Sequence, residues 1–279
     1  MTFAIAGALA AILLGGTEGG AINLFGFKLP VSFDLEAWSL KEVFLLDMAT
    51  YLLAIVLVCM IRYVPIAERK PDDSGLVERF KTGISYLITN RMVFVFGLAS
   101  YFVFAAILVS GFYLFPMYVS GHLLAGADVY AANEMYFAIG ALLAGLFIHL
   151  IFSRSNPVFG SIVLTLTASL AFISLTFHTK VEWFYFAILF LGLANAGIRI
   201  LRMTFLFKVV PNSVIGRVGS TFHFMNGCLR ICFLSLFALN FFHSGNNVIY
   251  AMSILGFFTL VGASILSRYY GSIRKLTTT

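Results

Sequence analysis

Charged residues are scarce in this chain of 279 residues: Asp, Glu, Lys and Arg make up 11% of it, whereas 61% is hydrophobic. The mean hydropathy is +0.98. A water-soluble globule needs more polar surface than this to cover its core, so the composition excludes that class. It predicts an all-α polytopic membrane protein, with lipid as the solvent for most of its surface.

The motifs of common enzyme classes are absent as well. The sequence has no P-loop, no G-x-S-x-G elbow and no His/Asp/Glu cluster with metal-ligand spacing. Its three cysteines lie in apolar runs without zinc-ligand spacing. We therefore expect no metal, no cofactor and no enzymatic activity, and ATP-driven transport by this chain alone is not supported. The net charge of +6 needs no nucleic acid as a partner, because basic loops facing anionic lipid account for it.

The main feature of the sequence is a series of long apolar runs. Runs of about 18 to 25 mostly apolar residues predict membrane-spanning helices. Seven are present, at residues 44–63, 92–120, 130–153, 158–178, 183–207, 218–243 and 248–267. A shorter run at residues 3–16 brings the prediction to about eight transmembrane helices. Residues 1–20 lack a basic n-region and a convincing cleavage site, so we interpret the short run as a span, with a signal peptide or anchor as the alternative.

Basic residues fall in every second gap between these runs. The other gaps receive only Lys28, Lys41 and Lys180, and Arg230 lies inside a run. By the positive-inside rule the basic side is cytoplasmic, so both termini are predicted to lie in the cytoplasm. The chain is expected to be a multi-pass protein of the cell membrane, which in bacteria is the inner membrane. The basic side carries the remaining 14 of the 18 Lys and Arg residues: Arg62, Arg69, Lys70, Arg79, Lys81, Arg91, Arg154, Arg199, Arg202, Lys208, Arg217, Arg268, Arg274 and Lys275.

A polar stretch at residues 64–91 interrupts the apolar pattern and predicts a cytoplasmic linker. After Ser74, which can cap a helix, apolar residues recur at helical spacing and predict an amphipathic helix at the membrane interface. We expect residues 1–63 to be the last two helices of an incomplete N-terminal bundle, residues 92–267 a six-helix C-terminal bundle and residues 268–279 a cytoplasmic tail. A six-span unit behind a basic linker is typical of one half of a transporter built from two halves.

Arg230 is the most informative polar residue inside a run. It stands thirteen residues from both Arg217 and His243, roughly 20 Å from each end of its helix. Exposure of an arginine to lipid at that depth costs about 2.5 to 3.5 kcal/mol. His223 and Asn226 lie on the same face of the helix as Arg230. We predict that this stripe lines a substrate cavity; a buried structural ion pair is the alternative.

A second polar stripe consists of Gly192, Asn195, Arg199 and Arg202. Asn195 and Arg199 are further cavity candidates, whereas Arg202, like Lys208, is expected to snorkel to the headgroups. Glu134 is a candidate for meeting a cation or taking a proton.

Three other features of the apolar runs yield expectations. Asp47 is expected to satisfy backbone N–H groups at the start of its helix, and His149 to be a packed neutral histidine. Small residues from Gly140 to Gly145 and from Gly192 to Gly197 predict close approach of helix backbones.

Three stretches of the sequence resemble the major facilitator superfamily, in particular its branch of multidrug and siderophore exporters similar to the enterobactin exporters. Residues 44–53 (FLLDMATYLL) are similar to the start of that family's sixth span, and residues 140–145 (GALLAG) to its glycine-rich eighth span. Residues 210–218 (VPNSVIGRV) are similar to the loop between its tenth and eleventh spans. In that loop, Pro211 ends the preceding helix, while Gly216 and Arg217 let the chain turn at the cytoplasmic surface.

The resemblance implies a secondary transporter that exports small organic molecules, a drug or a siderophore, driven by an ion or proton gradient. It also implies about twelve spans in two inverted halves, of which those matching the fifth to the twelfth are visible here. Residues 153–157 depart from the family's basic, glycine-containing loop. The alternative function is therefore a truncated or split fragment that inserts in the bilayer but does not transport alone, with another chain supplying the missing helices.

Overall fold

The computed structural model describes residues 13, 21–24, 27–30, 36, 38–61, 75–152 and 156–278. The chain forms two compact units, residues 1–73 and residues 74–279. The described part is that of an all-α polytopic membrane protein, as the composition predicts, with one short hairpin added. Of the predicted elements, the run at residues 3–16 lies outside the described residues except for Leu13, and so does most of the linker before residue 75.

The first unit contains a hairpin and one long helix. Strands β1 (Ala21–Leu24) and β2 (Phe27–Pro30) pair antiparallel, with Ala21 opposite Pro30 and Leu24 opposite Phe27. Helix α1 (Leu40–Met60) begins with a capping box, in which Ser39 and Glu42 exchange hydrogen bonds. None of the side chains in its most apolar window is buried. The expected role of Asp47 is therefore wrong, because the helix begins seven residues earlier and Ser39 caps it.

The second unit begins with the amphipathic helix α2 (Leu76–Thr89), where the sequence predicts it. Its N-cap is Gly75 rather than Ser74, and no side chain caps it. The other helices are α3 (Arg91–Val109), α4 (Phe115–Gly121), α5 (Ala127–Phe152), α6 (Pro157–Ser174), α7 (Val181–Val209), α8 (Ile215–Phe237), α9 (Asn240–His243), α10 (Val248–Arg268) and α11 (Tyr270–Thr278).

Six helical stretches in the described part are long and apolar enough to cross a membrane, and they coincide with six of the seven long apolar runs. The seventh run, residues 218–243, forms α8 and ends earlier than expected, at Phe237. Although α8 is 23 residues long, it is not among the six. The polar stripe with Arg230 lowers its hydropathy, so the residues that make α8 a functional candidate also weaken its signal as a span.

The first span of the second unit runs through α3, a π-helical turn (Ser110–Leu114) and α4. Pro116 explains the turn, because it lacks the N–H group that would continue the backbone ladder. Pro116 therefore cannot donate a backbone hydrogen bond to the Gly111 carbonyl. That carbonyl accepts a hydrogen bond of 3.1 Å from the Tyr130 hydroxyl instead.

Glycines set the closest helix contact, between α5 and α7. A Cβ atom on Gly140 would collide with the carbonyl oxygen of Leu189, and one on Gly192 with that of Phe137. The predicted close approach is confirmed at these two positions. At Gly145 a Cβ would meet nothing within 4 Å, so the prediction is wrong there.

Successive spans alternate in direction. At one end, where α3, α6 and α8 begin, Thr277 accepts hydrogen bonds from Asn156 (2.5 Å) and from Lys208. At the opposite end, the His122 ring contacts Asn246 (2.6 Å) and the His178 carbonyl (3.2 Å). We call the first end the basic end, since the predicted cytoplasmic cations that are described in this unit lie on that side; its cytoplasmic location stays a prediction.

Candidate functional site

Polar side chains from three helices meet at Tyr101 of α3. We call Ser100, Tyr101, Arg202, His223 and Asn226 the Tyr101 cluster. Helix α3 supplies the first two residues, α7 supplies Arg202, and α8 supplies the last two. Counted along the helices, Arg202, Tyr101 and Asn226 lie roughly 10 to 16 Å from the basic end, so they form one layer inside the bundle.

Arg202 is the buried cation of this cluster. Its side chain is only 4% exposed, and its Cζ lies 3.7 Å from the centroid of the Tyr101 ring. One terminal nitrogen donates a 3.0 Å hydrogen bond to the Ser100 carbonyl, while Nε is buried without a hydrogen-bond partner in the described part of the chain. The guanidinium is thus held by a π face and a carbonyl, which are neutral groups.

The expectation that Arg202 snorkels is wrong. Its helical neighbours Ile198 and Phe205 are buried, so its backbone position directs the side chain into the bundle. The ring of Phe205 packs on Phe96 of α3 at 4.0 Å, which holds α7 against α3 beside the guanidinium.

Helix α8 borders the same tyrosine with the stripe that the sequence predicts. Asn226 is buried and donates a 3.2 Å hydrogen bond from Nδ2 to the Tyr101 carbonyl. The His223 ring meets the Tyr101 ring edge-on at 5.6 Å, and Phe222 stacks on it at 5.7 Å. One residue of the α7 stripe, Arg202, and two residues of the α8 stripe, His223 and Asn226, therefore contact the same tyrosine.

Other predicted residues lie along the same two helices. Arg199 is exposed one turn before Arg202, and Asn195 is half-buried. Arg230 is half-buried one turn beyond Asn226, and its Nε is buried without a hydrogen-bond partner among the described residues. Ser220, His223, Gly227 and Arg230 follow one another along α8 on a face that is exposed or half-exposed, which we call the polar sector of α8.

Glu134 lies far from the Tyr101 cluster. It precedes Tyr136, whose ring stacks on Tyr185 at 4.4 Å near the start of α7. Arg202 stands 17 residues further along α7, roughly 25 Å away in depth. Glu134 is exposed on α5, so the structure does not bring it to this cation. The side chain of His149 lies outside the described part.

The loop motif joins α7 to α8. Helix α7 ends at Val209, and the Pro211 carbonyl accepts backbone hydrogen bonds from Val214 (3.0 Å) and Ile215 (3.1 Å). Pro211 follows the helix end as expected. The expected role of Gly216 is wrong, because the chain turns before it and Gly216 already lies in the first turn of α8. Arg217 is half-buried in the same turn.

Basic residues outnumber acidic ones in the part of the chain that contains the Tyr101 cluster. From residue 75 onward the sequence has four acidic residues, Glu78, Asp128, Glu134 and Glu182, against 13 basic ones. The last three acidic residues stand near the beginnings of α5 and α7, opposite to the basic end. Within the described residues, no group of three or more His, Cys, Asp or Glu side chains could hold a metal ion.

Sequence reasoning missed Ser100 and Tyr101. Both lie in an apolar run, and neither spacing nor charge distinguishes Tyr101 from the other 11 tyrosines. Arg202 could have been found, because the residues one turn before and after it on its face, Ile198 and Phe205, are apolar.

No family model, no curated protein and no solved structure matches this chain. The resemblance to the major facilitator superfamily rests on three stretches of sequence and stays a prediction.

Proposed function

We propose that this chain is the transporting part of a secondary transporter of the major facilitator type, an exporter of small organic molecules driven by an ion or proton gradient. The observation that carries the proposal is the polar sector of α8. Helix α8 ends seven residues after Arg230, so this residue is nearer to one end of its helix than the sequence predicts. A helix in a membrane bundle that exposes Ser220, His223 and part of Arg230 still needs water or protein on that side, because lipid contact for an arginine costs up to about 2.5 to 3.5 kcal/mol.

A water-filled cavity meets this requirement. Polar residues inside membrane bundles face such cavities or one another, and they mark substrate and ion pathways. Asn195 and Arg199 on α7 add a second polar wall, joined to α8 through the Tyr101 cluster. In this proposal Arg230, Arg199 and His223 face the substrate path and Asn195 supplies an amide along it, whereas Asn226 is buried and holds α8 to the Tyr101 carbonyl.

The arginines of α7 and α8 have different roles in this proposal. Arg202 is held by Ser100 and Tyr101 and fixes α7 against α3, so it is a positioning residue. Arg230 also has a buried Nε without a partner among the described residues, but it is only half-buried, so it is the residue we assign to substrate contact or to proton-coupled charge movement. Glu134, exposed on α5 toward the opposite end, is a second proton-carrying candidate.

The proposal is tested by efflux from an exporter-deficient bacterial strain with a panel of siderophores and lipophilic drugs. We expect the full-length gene product to lower accumulation of at least one compound, and Arg230→Ala to abolish this at unchanged membrane level. Arg268→Ala, an exposed arginine at the basic end of α10, is the matched control and should transport normally. Normal efflux by Arg230→Ala would remove this residue from the mechanism, and no efflux of any compound by the wild type would contradict transport.

The exposure of α1 favours a second candidate. None of the side chains in its most apolar window is buried within the first unit, and helices of another chain would cover them. The chain would then insert and pack but transport only with a chain that supplies the missing helices. An in-frame upstream sequence encoding about four more apolar spans would favour the single-chain transporter; a stop codon there would favour the split one.

A further inference from the structure

An apolar cleft of about 300 Å³ separates part of α2 from the spans behind it. Phe80, Ile84 and Ile88 of α2 form one wall, and Phe94 of α3 with Phe224 of α8 forms the other. The helices touch on both sides of it. Gly83 packs so closely on α8 that a Cβ would lie 2.5 Å from the Thr221 hydroxyl, and the rings of Phe80 and Phe224 meet edge-on at 5.1 Å.

The cleft can hold only hydrocarbon. Thr221 is the one polar residue in its lining, and its hydroxyl already donates a 2.9 Å hydrogen bond to the Arg217 carbonyl. A polar ligand would lose its hydration there without compensation. At roughly 30 Å³ for each small group, the volume fits a run of about ten methylenes. The mouth is open to the surroundings, since Ile88 is 65% and Phe224 59% exposed.

One exposed cation stands near the edge of the cleft. Arg91, at the start of α3, is three residues away from both Ile88 and Phe94, which line the cleft. The acidic residue of α2, Glu78, is on the other face of that helix, where it lines a separate cleft with Lys81 and Ser85. The edge of the cleft beside Arg91 is therefore positive, and the Glu78 carboxylate lies on another face of α2.

We propose that this cleft binds an anionic phospholipid, with one acyl chain against Ile84, Phe94 and Phe224 and the phosphate group beside Arg91. The interfacial position of an amphipathic helix places the cleft at the depth where an acyl chain leaves its headgroup. The site goes beyond the transport function and does not depend on it, because a lipid bound here ties α2 to α3 and α8 in a transporter or in a fragment alike.

The test is lipid retention by the purified full chain. The detergent-solubilised protein is incubated with phosphatidylglycerol, phosphatidylethanolamine or phosphatidylcholine of identical acyl chains, and bound lipids are counted by native mass spectrometry. We expect preference for phosphatidylglycerol. Arg91→Gln should lower that preference about fivefold, the contribution of one arginine near a membrane surface. Arg268→Gln, which removes an exposed arginine at the same end of the bundle but away from the cleft, should leave it unchanged.

Two variants test the cleft itself. Ile84→Trp fills it and should reduce retention of all three lipids. Ile88→Glu puts a carboxylate at the mouth on a side chain that is already exposed, so folding is preserved and the preference should disappear. Equal retention of all lipids by the wild type, an equal loss with Arg268→Gln, or unchanged retention in both cleft variants would overturn the proposal. Displacement by oleate as effective as by phosphatidylglycerol would assign the cleft to fatty acids instead.

Discussion

Two exposed helix faces in the second unit differ in chemistry. Helix α6 exposes Phe159, Val163, Leu166 and Leu170, which are all apolar. Helix α8 exposes Ser220, His223 and part of Arg230, with the apolar Phe224 and Ile231 exposed beside them. In the proposed transporter the solvent differs between the two faces: lipid beside α6, and water or polar protein beside the polar sector of α8.

The comparison shows where function is to be sought in a protein of this composition. Hydrophobicity identifies the spans, but it is exposure that distinguishes a polar residue packed for stability from one that faces a cavity. Asn226 and Arg202 belong to the first kind, since both are buried against α3. In the proposed transporter, His223 and Arg230 belong to the second.

The largest expected effect comes from placing a charge on each face at mid-helix. Leu166→Arg puts a cation into lipid and should destabilise the inserted protein by about 2.5 to 3.5 kcal/mol. Gly227→Arg puts it in the polar sector, where a new Cβ meets nothing within 4 Å, and should be tolerated. The fraction of folded protein recovered from membranes measures the difference. Equal recovery of both variants would break the comparison.

A third environment, the buried face of α5, provides the next test. Gly140→Ala drives a methyl group into the Leu189 carbonyl, which cannot rotate away, so we expect a loss of about 3 kcal/mol, the upper end for overpacking. Gly145→Ala, on the exposed face of the same helix, should be neutral or stabilising by up to about 1 kcal/mol. Thermal unfolding in detergent compares the two. If both variants unfold at the same temperature, α5 and α7 do not approach as described.

Tyr101→Leu removes the ring beneath Arg202 and leaves a buried guanidinium without its π partner. We expect a loss of about 2 kcal/mol, the value of a desolvated cation–π contact. The double variant Tyr101→Leu with Arg202→Met also removes the charge and should recover part of the stability. Losses that simply add in the double variant would show that the two side chains do not interact.

The smallest effect on stability is expected for His223→Leu. The side chain is exposed and its one ring contact with the described residues is the edge contact with Tyr101, so the free energy of unfolding should change by less than about 0.5 kcal/mol. Efflux, once a substrate is known, should fall nevertheless. A stability loss as large as that of Tyr101→Leu would place His223 in the core instead of at the cavity.

Most of the fold could be predicted from the sequence, because a bilayer sets the length and hydropathy of each span. Six of the seven long apolar runs form helices that are long and apolar enough to span a membrane. The predicted amphipathic helix is present as α2. The predicted helix boundaries are less precise where local chemistry acts. Pro116 follows a π-helical turn that separates α3 from α4. Ser39 caps α1, so that this helix begins four residues before the predicted span.

The candidate site was predictable only in part. Helical periodicity places His223, Asn226 and Arg230 on one face, and this needs no tertiary information. It cannot show that Arg202 turns inward or that Tyr101 receives it, since both depend on how α7 packs against α3. The acidic partner of Arg230 stays undetermined.

The difference in solvent between the two faces is most directly measured by cysteine accessibility. In a background with Cys59, Cys228 and Cys232 replaced by serine, Gly227→Cys and Leu166→Cys report on α8 and α6 respectively, in intact membranes treated with a charged, water-soluble maleimide. We predict rapid labelling at position 227 and almost none at position 166. Equal, slow labelling at both positions would show that the polar sector of α8 does not face water and would contradict the proposed cavity.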